Sequence, residues 1–348
     1  MPRLRTVDCS GPGIARRRRG RGFEYLDEQG DRIDDEEVLA RIRDLAIPPA
    51  WRDVWICPYP FGHIQATGID AAGRKQYRYH DRWRARRDAE KFDAMLDFAR
   101  ALPRLRRRVA KLLATEGLGR ERVLACAVRL LDRGFFRIGS EDYAESNGSY
   151  GLATLRKSHV SIRDDVMTFD YPAKGGRRRV QTLVDPDAQA VLAPLRRRRG
   201  GGEELLAYKE GRRWRDARSD DINDFLKEVT GGDFSAKDFR TWNATVLAAV
   251  ALAVSGEVAG SRTGRERAIR RAVGEVADYL GNTPAIARSS YIDPRVFDRY
   301  RSGITIGGAL EAIAEHDEDG RPPIQGPVEE AVLDLLRDED SPALEQVA

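Results

Sequence analysis

The chain has 348 residues, with 60 Lys+Arg against 56 Asp+Glu; 33% of its residues are charged and 41% hydrophobic. That apolar share supplies packed cores and excludes a wholly disordered chain. Three widely spaced cysteines, Cys9, Cys57 and Cys126, exclude a disulfide framework or a CxxC metal site. Four histidines, His63, His80, His159 and His316, with no His-x-x-x-His pair, argue against a zinc catalyst, so no metal and no cofactor is expected. The longest apolar run, Val246 to Val254, is too short to span a bilayer. The arginine-bearing start lacks the apolar core of a signal peptide, and the expectation is a soluble, reduced, cytoplasmic protein with no membrane partner.

The net charge of +4 is unevenly spread. Residues 311–348 hold 12 acidic and 2 basic side chains, net −10, which leaves residues 1–310 at +14. Arginine runs stand at Arg16–Arg19, Arg106–Arg108, Arg177–Arg179 and Arg196–Arg199. Guanidinium groups match phosphate in a bidentate way, so a basic body of this kind points to a polyanion, most simply nucleic acid. The plain alternative is a solvated surface of ion pairs.

In chain order, residues 1–22 read as a basic mobile arm. From Phe23 to about residue 88 the signals are mostly strand and turn. Asp27–Gly30 and Asp70–Gly73 are turn sequences, and Val54–Cys57 and Gln76–Tyr79 are short strands. A short helix, Asp35–Leu45, stops before Pro48-Pro49. From Trp83 the pattern turns helical, with Phe92, Met95, Leu96 and Ala99 at helix spacing, then Val123, Leu124, Ala127, Leu130 and Leu131. A hairpin interrupts it, from Asp165 to Pro172, through Ala173-Lys-Gly-Gly176, to Arg177–Val184. Gly200–Gly202 marks a loop, and Ser235-Ala-Lys-Asp238 and Thr263-Gly-Arg-Glu266 read as capping boxes. Thr283-Pro284 opens another short helix. The fold class expected is α+β. A β-sheet-rich N-terminal domain (23–88) precedes a larger, mainly α-helical domain with a small hairpin (89–310) and an acidic C-terminal tail (311–348), with a short linker near Arg84–Arg87.

No Gly-x-x-x-x-Gly-Lys-Ser/Thr loop and no Gly-x-Ser-x-Gly elbow occurs, which leaves P-loop and serine-elbow chemistry unsupported. What stands out is a scattered cationic set on ordered elements, Arg137, Lys174 and Arg240, with Asn282 and Tyr291 flanking the helix at Pro284. Leu280-Gly-Asn-Thr-Pro-Ala-Ile-Ala-Arg-Ser-Ser-Tyr-Ile292 resembles the active-site tyrosine segment of type IB DNA topoisomerases, in the compact poxvirus-like form found in bacteria. Phe135-Phe-Arg-Ile-Gly-Ser140 leading to Gly151–Arg156 is similar to the segment with the first arginine. Tyr171-Pro-Ala-Lys-Gly-Gly176 is similar to the lysine hairpin, and Lys237-Asp-Phe-Arg-Thr-Trp242 to the second-arginine segment. Pro48–Trp51, Gly62–Gly68 and Gly73–His80 fit the N-terminal domain, so the resemblance covers about residues 23–305.

The resemblance implies an enzyme that clamps duplex DNA, preferably supercoiled, and works as a monomer at the nucleoid without ATP or a required metal. Tyr291 would attack a phosphodiester to give a 3′-phosphotyrosyl intermediate, the downstream strand would rotate, and the 5′-hydroxyl would religate. Arg137 and Arg240 would stabilise the five-coordinate phosphorus, and Lys174 would protonate the leaving oxygen. Many members of the wider group have His where this chain has Asn282. Asn donates a hydrogen bond but not a full proton, so Asn282 is read as a donor to a non-bridging phosphate oxygen. Gln65, Lys75, Gln76, Tyr77 and Tyr79 form the expected DNA-facing set of the first domain, joined by Arg156 and His159 in the second. The alternatives are a tyrosine site-specific recombinase and a non-catalytic DNA clamp. The first is disfavoured by the β-rich N-terminal domain, the second by the complete set of five residues.

Overall fold

The structure, a computed structural model, describes residues 2–255, 261–314, 325–339 and 341–346. His316 and the acidic stretch around it lie outside the described residues. The chain divides into two compact units, Met1–Phe92 and Asp93–Ala348.

The first unit is a five-stranded sheet with one helix. Its elements are β1 (Ile14–Arg19), β2 (Gly22–Leu26), α1 (Glu36–Asp44), β3 (Arg52–Ile56), β4 (Ile64–Ile69) and β5 (Lys75–Tyr79). The strand order is β2-β1-β3-β4-β5, and every pairing is antiparallel. Alternation along the strands sends Val54, Ile56 and Ala66 to one face, where Ile14 and Ile42 of α1 close the core. Asp35 caps α1 by accepting from the Glu37 and Val38 N–H groups.

The arm expected over residues 1–22 is therefore partly sheet. Three of the four arginines of the run find a place beside the strand. Arg16 donates to the carbonyls of Ile47, Pro48 and Trp51 and covers the Phe23 ring, and Arg17 and Arg19 pair with Glu24 across the β1–β2 hairpin. The expected linker at Arg84–Arg87 is also corrected, since those residues lie inside the 33-residue helix α2 (Asp81–Leu113).

The second unit is built on helices. After α2 come α3 (Arg120–Gly134), α4 (Glu141–Asn147), the sheet of β6 (Val160–Arg163), β7 (Val166–Pro172) and β8 (Arg178–Val184), and α5 (Pro186–Arg197). A hairpin of β9 (Ala207–Glu210) and β10 (Arg213–Asp216) leads to α6 (Ser219–Thr230), α7 (Ala236–Val254), α8 (Arg262–Leu280), α9 (Pro284–Ser290) and α10 (Pro294–Arg301). Then follow β11 (Ile304–Thr305), α11 (Gly307–Ala314), α12 (Pro327–Arg337) and β12 (Glu345–Gln346). α3 and α7 form the centre: Val123, Leu124, Ala127, Leu130, Leu131, Phe239 and Trp242 are all fully buried or nearly so. The Ser235–Asp238 box caps α7 as read from the sequence. The box expected at Thr263 does not form; Ser261 is the cap of α8, accepting from the Gly264 N–H.

The C-terminal segment is not simply a tail. α12 buries Val328, Ala331, Val332, Leu335 and Leu336, an amphipathic face at helix spacing, and β12 pairs with β11. Its Glu329 enters a buried network. Arg106 of α2 donates to both Glu329 and Asp132, and Trp242 Nε1 donates to Glu329 Oε1 at 2.7 Å. Burial works against the Arg106 charge, but the two carboxylates more than offset it and raise its pKa.

Candidate active site

Four chain segments build the site. α3 ends at Phe135, whose backbone is left-handed (φ 53°), and the chain then turns into the extended Arg137 loop. That loop is fixed by a close crossing of two glycines. A Cβ on Gly151 would lie 2.4 Å from the Gly139 nitrogen and 2.7 Å from the Arg137 carbonyl oxygen. The approach lets the Leu152 and Ala153 N–H groups donate to the Arg137 and Ile138 carbonyls, both at 2.8 Å. This is the physical link between the Phe135–Ser140 and Gly151–Arg156 motifs.

Arg240 sits in the second turn of α7 and is 4% exposed. Its guanidinium donates to the Phe135 carbonyl at 2.7 Å and to the Leu280 carbonyl at 2.9 Å, the C-terminal ends of α3 and α8. Carbonyls at helix C-termini carry partial negative charge and suit a cation. Arg240 thereby holds two helix ends together while its Nε, buried, keeps no partner. The plane lies over the Tyr291 ring, 5.2 Å from its centroid. Burial first, and then the neighbouring Arg137 charge, pull its pKa down to about 10.

Asn282 follows the left-handed Gly281 (φ 61°) that ends α8; its N–H donates back to the Ala277 carbonyl at 2.9 Å. Arg137 donates to the Gly281 carbonyl and to Asn282 Oδ1. Arginine only donates, so this contact fixes the amide orientation and turns Nδ2 away from Arg137. Nδ2 is buried and makes no hydrogen bond of regular geometry.

Tyr291 is the residue that ends α9, and its N–H donates to the Ala287 carbonyl at 3.0 Å. Thr245 of α7 fastens the segment, its hydroxyl donating to the Tyr291 carbonyl at 3.3 Å and accepting from the Asp293 N–H at 3.1 Å. Burial of the phenol would raise its pKa, but Arg240 and Arg137, together with hydrogen bonding from Arg240 and the nearby Asn282 amide, outweigh it and lower the value. The tyrosine is thus set to ionise more readily than in water.

Lys174 is exposed at the tip of the β7–β8 hairpin, in a turn closed by the Ala173 N–H to Arg177 carbonyl bond and containing Gly175 and Gly176 at positive φ. A cavity of about 270 Å³ brings Arg137, Lys174, Arg240 and Tyr291 together, with Lys237 and Tyr150 in the same wall. A second cavity of about 280 Å³ shares Arg137, Lys174 and Arg240, adds Arg177, Arg178 and Arg179, and has one acid, Asp278, in its lining. Five of the sequence-selected residues therefore converge. Lys237, Tyr150 and Arg179 were missed; Lys237, one turn before Arg240 on α7, carried the only visible signal.

The DNA-facing set fares less evenly. Lys75, Tyr77 and Tyr79 stand on the exposed face of β5, with the two tyrosine rings stacked at 5.9 Å. Gln76 points the other way and donates to Asp70. Gln65 is a correction: it is 3% exposed, its amide nitrogen donates to the carbonyls of Tyr59, Pro60 and Gly62, and its oxygen accepts from Arg41. It pins a tight loop and offers nothing to a ligand. Arg156 is exposed over Tyr150, and His159 Nδ1 accepts from the Arg156 N–H while its ring meets Tyr150 edge-on at 4.6 Å. Burial and the Arg156 charge hold the His159 pKa below that of a free histidine.

Comparison with known proteins agrees with this geometry. Residues 80–314 match the family described as eukaryotic DNA topoisomerase I, catalytic core, and residues 22–70 match the bacterial DNA topoisomerase IB, N-terminal domain. The chain is 30% identical over 321 residues to DNA topoisomerase 1B of Acanthamoeba polyphaga mimivirus, covering 88% of this chain and 91% of that protein. It is 27% identical over 129 residues to DNA topoisomerase 1 of Daucus carota, covering 36% of this chain and 15% of that one.

Proposed function

This chain belongs to the type IB DNA topoisomerase family, and on that premise we propose which of its residues carry the strand transfer and how. The activity is that of a type I DNA topoisomerase acting on DNA, which sets aside the recombinase and the inert clamp. Tyr291 Oη attacks the scissile phosphorus, the bond to the 5′-oxygen breaks, and a 3′-phosphotyrosyl bond takes its place. One phosphoester is exchanged for another, so religation needs no nucleotide hydrolysis. Arg137 and Arg240 face the non-bridging oxygens, where charge accumulates in the five-coordinate state; Asn282 Nδ2 adds a neutral donor beside them. Lys174 gives a proton to the departing 5′-oxygen and takes it back in religation.

The observation that carries the assignment is the convergence of Arg137, Lys174, Arg240 and Tyr291 on one cavity from four separate segments, with the Arg240 plane over the Tyr291 ring. Two fixed guanidinium groups supply the charge stabilisation that a divalent ion gives elsewhere. We also propose that Lys75, Tyr77, Tyr79 and Arg156 contact the duplex, that the enzyme prefers supercoiled DNA, acts as a monomer, and works at the nucleoid in the cytoplasm. No helix among the described residues is long and apolar enough to cross a membrane.

The test is relaxation of negatively supercoiled plasmid in excess EDTA without ATP, beside Tyr291→Phe. Wild type relaxes the plasmid at a rate linear in protein concentration, and the variant binds DNA without relaxing it. A requirement for added metal, or activity in the variant, contradicts the residue assignment.

A further inference from the structure

The lysine hairpin reaches the site from outside the helical core, and its last ladder residue, Pro172, accepts from the Tyr150 N–H at 2.8 Å. The last ladder pair is Pro172 with Arg178, and Lys174 stands beyond it in the exposed turn. An ion pair at the tip, Arg178 with Asp170, joins the hairpin only to itself and is exposed. The side chains that tie the hairpin to the ends of α8 and α3 by hydrogen bonds are Arg179 and Gln181 on the half-buried face of β8, while Phe169 and Tyr171 of β7 pack it against Phe136.

These two form a continuous chain of hydrogen bonds. Arg179 Nη2 donates to the carbonyl of Tyr279 in the last turn of α8. Arg179 Nε donates to Gln181 Oε1 at 2.6 Å, and Gln181 Nε2 donates to the Gly134 carbonyl at 2.7 Å, at the end of α3. The two helix ends so joined are those that present Asn282 and Arg137. Arg179 also packs close enough to Gly281 that a Cβ there would lie 2.7 Å from its Nη1. It lines the cavity that Lys174, Arg137 and Arg240 share. Burial, offset in part by Tyr171, lowers its pKa, and the Arg137 charge beside it adds to the lowering. A guanidinium kept half-buried next to another cation, with its hydrogen bonds spent on a carbonyl and an amide, is placed for its fork geometry rather than for pairing with an acid.

We propose that Arg179, seconded by Gln181, is a positioning residue that latches the lysine hairpin to the ends of α8 and α3 and so sets the reach of Lys174 to the leaving oxygen. It acts through Lys174 and not on the phosphorus. A displacement of about 1 Å at a reacting group can cost on the order of 10² in rate, which is the scale the latch controls. The inference rests on the reading of Lys174 as proton donor.

The experiment compares single-turnover cleavage of two duplexes, one with the ordinary 5′-oxygen at the scissile bond and one with sulfur in its place. In both, Tyr291 forms the bond to phosphorus and the 5′-atom leaves; oxygen needs a proton as it departs, whereas the thiolate leaves without one. Lys174→Ala is expected to lose about 10²–10⁴ on the oxygen substrate and to recover on sulfur. Arg179→Ala is expected to lose about 10–10² on oxygen and to come within a fewfold of wild type on sulfur. Arg179→Lys, which keeps the charge and loses the fork, should behave like Arg179→Ala, and Gln181→Ala should show a smaller loss of the same kind. The double variant Lys174→Ala/Arg179→Ala should cleave no more slowly than Lys174→Ala. A defect of Arg179→Ala that persists on sulfur, or full activity of Arg179→Lys on oxygen, overturns the latch. Failure of Lys174→Ala to recover on sulfur overturns the proton-donor reading instead, and with it the route by which Arg179 is held to act. Thermal unfolding of each variant separates these outcomes from loss of fold, and the sulfur substrate does so independently.

Discussion

Arg240 and Lys174 line the same cavity but are held in opposite ways. Arg240 is buried, donates to two helix-end carbonyls, and belongs to the central helix of its unit. Lys174 is exposed on a glycine-containing turn. The contrast follows the chemistry proposed for each group. A stabiliser of transition-state charge works best when its dipoles are already in place, because reorganisation then costs nothing at the moment of reaction. A proton donor must approach one oxygen during cleavage and retrieve the proton during religation, which a group on a short, glycine-containing turn can do. Arg137 and Asn282 side with Arg240: each fixes the other, and both hang from helix ends.

Breaking the rigid half has a large expected effect. Arg240→Ala should slow single-turnover cleavage by about 10²–10³. Arg240→Lys should restore little, since an ammonium cannot span the Phe135 and Leu280 carbonyls together. Recovery to near wild type with Lys would show that charge alone suffices and that the clamp of helix ends is idle.

A step further out, Glu329→Ala removes the carboxylate that joins Arg106 to Trp242, two residues beyond Arg240 on α7. Arg106 keeps Asp132, but the buried Trp242 N–H loses its acceptor, which costs on the order of 1–3 kcal/mol, so chemical denaturation should show a clear fall in stability. An unchanged midpoint would mean that α12 does not support the core. At the flexible half, Gly175→Ala forces a side chain into a left-handed backbone (φ 80°) with open space around it. The strain is about 1–2 kcal/mol, so a small loss of stability with a modestly slower cleavage is expected. A strong rate loss with no stability change would place the glycine in contact with DNA.

The smallest effect is in the pH profile. The Tyr291 phenol is held below its ordinary value, so cleavage should rise with pH and level off before about 10, where free tyrosine titrates. Arg240, at about 10, loses its proton above that, and the rate should fall again. A rate still climbing above pH 10 would contradict both shifts.

Much of the candidate site was legible in the sequence because its residues sit inside local signals: a capping box before Arg240, a Gly-Asn-Thr-Pro helix break before Tyr291, a Gly-Gly turn after Lys174. What was not legible depends on which way a side chain faces. Gln65 is polar and sits within the Gly62–Gly68 motif, yet three carbonyls of the Tyr59–Gly62 loop draw it inward. Arg179 and Gln181 sit two apart on a strand, a spacing that places them on one face without saying which helix ends they meet. The arginine run at residues 16–19 and the acidic stretch after residue 311 were judged on charge, which hid the strand alternation in the first. In the second it hid the Val328-Ala331-Val332-Leu335 stripe that docks α12.

Tyr291 is proposed as the 3′-phosphotyrosyl carrier. The direct measurement is to trap the covalent complex on a nicked suicide duplex, digest it, and locate the nucleotide-bearing peptide by mass spectrometry. The account predicts a single adduct on Tyr291 linked through a 3′-phosphate, absent in Tyr291→Phe. An adduct on another residue, or one linked through a 5′-phosphate, would contradict it.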